Sequence, residues 1–225
     1  MNQSDNAMDK FGLIGYPIAH SLSPRLFTAA YDGRFAYELI ETEDFALAWQ
    51  TFLDGYKAIN VTAPFKGDAF QRADILSPEC ERVGATNLCV KTDQGIKAYN
   101  SDYLGVKSLI EGLSGTAAVI GYGGAGKAAM AAAEDVGLKT KLYRHNEIAS
   151  GVSADVIIYT LPRSVEGVDM LECSVLLEAN YKDPCLTAHK GYVPGTAWHL
   201  QQAVLGYSLM TGLEPCEEKM KLVYL

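Results

Sequence analysis

The chain has 225 residues, 48% hydrophobic and 20% charged, with a net charge of −8. That is globular, with room for one large domain or two small ones. The acidic balance disfavours non-specific nucleic-acid binding, and no basic block or apolar stretch of membrane-spanning length appears. The polar start, residues 1–7, lacks a secretion signal's apolar centre and reads as a leader ahead of Met8. Five scattered cysteines (Cys80, Cys89, Cys173, Cys185, Cys216), none in a C-x-x-C pair, read as reduced thiols of a cytoplasmic protein. The four histidines (His20, His145, His189, His199) show no metal-ligand spacing, so no metal is expected.

In chain order, Lys10 to Tyr16 reads as a strand stopped by Pro17. Ser23-Pro24 reads as a helix start, with Ser23 as N-cap, and the helix runs to about Asp32. Phe35 to Glu41 is a second strand. Asp44 to Leu53 is a helix with Phe45, Ala48, Trp49 and Phe52 on one face. Tyr56 to Val61 is a third strand, and Lys66 to Ala73 and Ser77 to Val83 are helical. Ala85 to Thr92 and Gly95 to Asn100 form a hairpin turning at Asp93-Gln94-Gly95. Strands alternating with helices imply a largely parallel sheet. A helix from Asp102 to Gly112 leads into a second α/β unit.

That unit opens on a buried strand, Thr116 to Ile120, which breaks into Gly121-x-Gly123-Gly124-Ala125-Gly126 and an alanine-rich helix from Lys127. Strand, glycine turn and helix form the arrangement that binds a dinucleotide pyrophosphate: the backbone approaches closely and the helix N-terminus supplies free N–H groups. The alternative is a glycine-rich turn with no ligand. Lys139 to His145 reads as the next strand. No acid stands at its end, as a ribose 2′-hydroxyl would call for; Arg144 does, which favours NADP over NAD. Arg144 also reads as a solvated edge-strand cation. Only Asn146 to Ser153 separates this strand from the next, Ala154 to Thr160. A crossover with its helix needs about 10–12 residues. The usual helix and third strand of a nucleotide-binding half are therefore expected to be missing, where the adenosine end would rest. Val175 to Glu178 reads as a further strand and Thr196 to Gly212 as a long helix. The face left by the truncation is a candidate homodimer surface.

Four segments precede the glycine turn: Gly15-Tyr-Pro-Ile-Ala-His-Ser21-Leu-Ser23-Pro24, Asn60-Val-Thr62-Ala-Pro-Phe-Lys66, Gly84-Ala-Thr-Asn87 and Asn100-Ser-Asp102-Tyr-Leu-Gly105. In this order they closely resemble the shikimate dehydrogenase family, densely over residues 11 to about 128 and loosely beyond. The resemblance implies an α/β protein of two α/β domains. The N-terminal substrate-binding domain takes residues 9–102 plus 196–225, the C-terminal helix returning to it. A shortened Rossmann-like NADP-binding domain takes 103–195. It implies NADP-dependent interconversion of 3-dehydroshikimate and shikimate, in aromatic amino acid biosynthesis.

The resemblance also implies site residues. Lys66 and Asp102 form the catalytic pair, which agrees with the need for a positioned proton donor when a carbonyl is reduced. Ser21 and Ser23 bind the substrate carboxylate. Asn60, Thr62, Asn87 and Asp102 bind its hydroxyls, and Tyr181 and Gln202 lie on the substrate side. Gly121, Gly123, Gly124, Ala125, Gly126, Arg144 and Gly195 contact the cofactor. Each has a bland reading: an ion pair for Lys66 and Asp102, a cap for Ser23, turn or strand-end residues for Asn60, Thr62 and Asn87. The chain departs from the family pattern at Tyr143-Arg144-His145, which keeps only the Arg, and at Trp198-His199-Leu200, which replaces Met-Leu. Expected partners are a small-molecule substrate and no nucleic acid or membrane, with the chain a monomer or homodimer. Two other readings stand beside this one: a dehydrogenase of quinate or another cyclic polyol acid, and a binding paralogue that holds a shikimate-like ligand or nucleotide without turnover.

Overall fold

The structure, a computed structural model, describes residues 9–225; the leader at residues 1–7 lies outside them. The elements run β1 (Lys10–Gly15), α1 (Ser23–Ala30), β2 (Ala36–Glu41), α2 (Phe45–Gly55), β3 (Ala58–Val61), α3 (Lys66–Arg72), β4 (Ile75–Leu76), α4 (Pro78–Val83), β5 (Leu88–Thr92) and β6 (Gly95–Tyr99). Then come α5 (Ser101–Ile110), β7 (Thr116–Ile120), α6 (Gly124–Asp135), β8 (Lys139–Tyr143), β9 (Val152–Ser153), β10 (Val156–Tyr159), β11 (Leu171–Glu172), β12 (Val175–Glu178), β13 (Tyr192–Val193), α7 (Gly195–Thr211) and α8 (Glu217–Lys221). The chain divides into two compact units. One holds the residues up to Tyr99 together with Gly206–Leu225, and the other holds Asn100–Leu205.

The first unit is built on a six-stranded sheet in the order β2-β1-β3-β5-β6-β4. β2, β1 and β3 are parallel, with Leu13 opposite Leu39 and Ile14 opposite Val61. The remaining pairings are antiparallel where the expected β5–β6 hairpin joins β3, and parallel again between β4 and β6. Phe11 and Ile14 are fully buried, as a strand covered on both faces requires. The α2 helix starts where Asp44 accepts hydrogen bonds from Ala46 N (2.8 Å) and Leu47 N (3.2 Å). It buries Ala48, Trp49 and Phe52, which join Ile14, Ile59, Val61 and Phe65 in one core. A second, aromatic core gathers Phe11, Phe27, Phe35 and Tyr37, with Tyr207 packed edge-on to Phe27 at 4.9 Å between ring centres. The carboxyl-terminal residues are tied to α1 by Cys216 N–H donating to Ala30 O (2.9 Å).

The start of α1 differs from expectation. Leu22, not Ser23, precedes the first helical turn, and Ser23 is its first residue. Ser21 takes the capping role instead, its Oγ accepting the Ser23 N–H at 3.2 Å.

The second unit carries a five-stranded parallel sheet, β13-β12-β10-β7-β8. On one face, α6 buries Ala128, Ala129, Ala131, Ala132 and Ala133, small side chains that allow close packing. Tyr103 on α5 donates to the Asp135 carboxylate at the end of α6 (2.9 Å). Between β8 and β13 the described residues place no α-helix on the other face, only one short 3-10 turn at Val168–Met170. That face is not left open. Ala118, Ile120, Ile157, Tyr159 and Leu176 point into it and are met by Ile148 and Leu186 from irregular segments, Val168 from the 3-10 turn, and Val152 and Leu171 from β9 and β11. The β9–β11 ribbon lies among these segments. The surface that the truncation was expected to expose is thus covered by the chain itself. A buried carboxylate anchors the cover: Glu178 accepts from Cys185 N (2.8 Å), Leu186 N (3.3 Å) and the Tyr192 hydroxyl (3.0 Å).

Candidate functional site

In an open α/β sheet, ligands bind outside the carboxyl ends of the strands. In the first unit those ends belong to β1 and β3. The loop after β1 carries Ser21 and Ser23, and the segment after β3 carries Thr62 and leads into Lys66 at the start of α3. Thr62 N–H donates to Ile14 O at 3.0 Å. A side chain at Gly15 would stand 2.4 Å from the Thr62 methyl, so only glycine lets the two loops meet. Asn87 enters β5 at the same end; its carbonyl accepts from Val61 N (2.8 Å) and faces Asn60 Nδ2 at 3.4 Å. Asn60 is oriented on its other side by the Tyr37 hydroxyl, which donates to Oδ1 at 2.8 Å. Burial pushes the Tyr37 phenol far above its ordinary range, so it stays a donor. The Ser21 and Ser23 hydroxyls lie 3.1 Å apart, and the Tyr207 hydroxyl donates to Ser23 O at 3.2 Å. Thr86 N–H donates to Lys66 O at 3.3 Å. Six of the expected residues therefore share one sheet end: Ser21, Ser23, Asn60, Thr62, Lys66 and Asn87.

In the second unit, Asp102 lies in the first turn of α5, capped by Asn100 Oδ1 accepting from Tyr103 N (2.9 Å). The α7 helix packs tightly here. Trp198 Nε1 donates to Asp102 O (2.9 Å), and Ser101 Oγ donates to Gln202 Oε1 (3.0 Å). A side chain at Gly105 would strike the Gln202 backbone nitrogen at 2.7 Å. Gly195 opens α7 pressed against the backbone of residues 178–180, which lead into Tyr181. Tyr181 stacks on His199, the ring centres 4.2 Å apart and the ring planes nearly parallel at 12°. Burial drives the His199 imidazole down to about 4, partly opposed by the Asp102 charge and reinforced by Lys182. His199 is therefore a neutral ring at neutral pH. Asp102, Tyr181 and Gln202 are thus joined through α7. Trp198 and His199, to which the sequence reading gave no role, complete the group; their four- and three-residue spacing from Gln202 is the signal that could have found them.

The glycine turn leaves β7 beside α6. A side chain at Gly126 would lie 2.1 Å from Gly121 O, and one at Gly121 2.5 Å from Thr160 Oγ1. At Gly123 it would meet nothing within 4 Å. Gly126 thus serves close strand–helix packing, and Gly121 the close approach of the segment that leaves β10. The open space belongs to Gly123, which with Gly124 and Ala125 presents the helix N-terminus. A pyrophosphate fits such a cradle. Gly121 N–H donates to Tyr143 O (2.9 Å), which brings the end of β8 to the turn. Arg144 follows, exposed, in the turn after β8 rather than in the strand. The expectation that no acid stands at this end is corrected: Glu147 folds back so that Oε2 accepts the Arg144 N–H at 2.6 Å. An acid four residues past the strand's last residue, Tyr143, was the signal for it. Among the described residues no three His, Cys, Asp or Glu gather as metal ligands, and no helix is long and apolar enough to cross a membrane.

Comparison with known proteins adds the relationship. The family model of the shikimate dehydrogenase substrate binding domain matches residues 13–89. The NADP-dependent shikimate dehydrogenase of Haloarcula marismortui is 32% identical over 208 residues, covering 88% of this chain and 78% of that protein. That of Bacillus licheniformis is 30% identical over 266 residues, covering 96% of each; the alignment exceeds this chain's length and so opens gaps in it. In fold, the chain is similar to the Thermus thermophilus shikimate 5-dehydrogenase solved with NADP(H) and shikimate. There the TM-score is 0.84 and the identity 23%, over 96% of this chain and 98% of that one. The Aquifex aeolicus shikimate dehydrogenase matches with a TM-score of 0.82 at 25% identity, over 99% of both chains.

Proposed function

The chain belongs to the shikimate dehydrogenase family, and from that membership we propose that it interconverts 3-dehydroshikimate and shikimate with NADP. What supports this most is the gathering of Ser21, Ser23, Asn60, Thr62, Lys66 and Asn87 at the carboxyl ends of β1 and β3. A small polyol acid needs many fixed hydrogen-bond partners in one place. Ser21 and Ser23 take its carboxylate, and Asn60, Thr62, Asn87 and Asp102 take its hydroxyls. Tyr181 and Gln202 complete the substrate side. Gly121, Gly123, Gly124, Ala125 and Gly126 hold the cofactor's pyrophosphate, with Arg144 at its 2′-phosphate and Gly195 on its reactive side. NADPH, when bound, supplies the hydride. Lys66, with Asp102, holds and orients the proton at the carbonyl oxygen, so that no free alkoxide need form.

The test is to mix purified protein with shikimate and NADP⁺ and follow reduced-nicotinamide absorbance, with quinate and NAD⁺ as parallel controls. Turnover with shikimate and NADP⁺ is expected. Turnover with quinate alone would replace the substrate, and no turnover in any pairing would overturn the enzymatic reading.

A further inference from the structure

We infer that Glu147 tunes the choice of nucleotide: its carboxylate opposes a ribose 2′-phosphate and narrows the margin of NADP over NAD. This rests on the cofactor reading above. Residues just beyond the second strand of a nucleotide-binding half meet the ribose 2′ position. β8 is that strand, since it follows the glycine turn and α6 and pairs in parallel with β7.

A single peptide unit links the glycine turn to the acid. Its carbonyl, Tyr143 O, accepts from Gly121 N at 2.9 Å. Its amide, Arg144 N–H, donates to Glu147 Oε2 at 2.6 Å. In a trans peptide these two groups point in opposite directions. The carboxylate therefore stands across β8 from the glycine turn, one peptide away. It does not swing freely, because Glu147 N–H donates back to Arg144 O at 3.0 Å and closes the turn from both sides.

The arrangement follows from the short connection. The chain reverses within residues 144–147, and β8 is the edge of its sheet. Arg144 and His145 are the attractive groups at this end, and Glu147 is the repulsive one. A carboxylate accepts a hydrogen bond from a 2′-hydroxyl but meets a 2′-phosphate as like charge. Discrimination is then the difference between Arg144's attraction and Glu147's repulsion.

The Glu147→Gln variant isolates the charge, because its amide oxygen still accepts the Arg144 N–H. NADP⁺ and NAD⁺ are titrated separately into wild type and variant by calorimetry, without substrate, at low and high salt. The variant is expected to bind NADP⁺ about three- to tenfold more tightly, with NAD⁺ affinity unchanged or weaker, and the gain shrinks at high salt. Equal changes for both nucleotides, or none, overturn the inference while leaving the cofactor reading intact. Wild type that binds neither nucleotide overturns both.

Discussion

The two sheets solve the same problem with different materials. The first is covered on one face by α2, α3 and α4 and carries an aromatic core built with α1 and the carboxyl-terminal residues. The second has α-helices on one face only, and loops, the short β9 and β11 strands and one 3-10 turn seal the other with Ile148, Val152, Val168, Leu171 and Leu186. A parallel sheet needs both faces covered, but the cover need not be helical. What it needs is apolar side chains at the right places and a satisfied backbone. Glu178 meets the second need for the turn at Cys185 and Leu186.

The sharpest test of this contrast is chemical. Lys66→Ala in the helix-covered unit should lower turnover by about 10²- to 10⁴-fold with shikimate affinity little changed; steady-state rates beside ligand titration decide it. Unchanged turnover would remove Lys66 from the mechanism. Next comes the loop-covered face. Ile148 is fully buried, and Ile148→Ala should destabilise by about 2–5 kcal/mol in denaturant melts, as a true core residue does. A change within 0.5 kcal/mol, about what a surface site gives, would mean that the irregular segments merely rest on the sheet. The glycine turn offers a paired comparison. Gly126→Ala should cost about 3 kcal/mol of stability, because its methyl group meets backbone. Gly123→Ala should leave stability alone yet weaken nucleotide binding. If both variants bind nucleotide normally, the cradle is only a turn.

The smallest effect concerns acid. His199 has its imidazole depressed from 6.5 to about 4. Below pH 6.5 the unfolded chain takes up a proton that the folded chain refuses. The stability present above pH 6.5 therefore falls as the pH drops towards about 4, by at most about 3 kcal/mol. His199→Leu should flatten that slope between pH 6.5 and 4.5; an unaltered slope would show that the ring is solvated.

What could be read from the sequence follows from periodicity. Asp44 before Phe45, Ala48, Trp49 and Phe52 announces α2, and the run from Thr116 to Ile120 before four glycines announces β7 and its turn. The motif residues were legible because Ser21, Thr62 and Lys66 follow strands that the pattern already marks. The loop cover was not legible. Ile148, Val168 and Leu186 stand far apart in sequence without period, and only the folded sheet collects them. Ser23 as cap failed because the helix starts one residue earlier than its serine-proline pair suggests: Ser23 is already the first helical residue, and its own N–H goes to the Ser21 hydroxyl. Glu147 was missed because strand-end acids were sought in the strand, and this one returns from the turn.

Ending the second sheet at β8 also leaves a strand with a row of unpaired amides, which invites another chain to add itself. Here that strand carries Lys139 and Lys141, both exposed, the latter lying 4.6 Å over the Tyr143 ring. Charged side chains on an edge strand, lysines above all, oppose such edge-to-edge pairing. Neutralising both would turn the missing strand from an economy of length into an aggregation hazard.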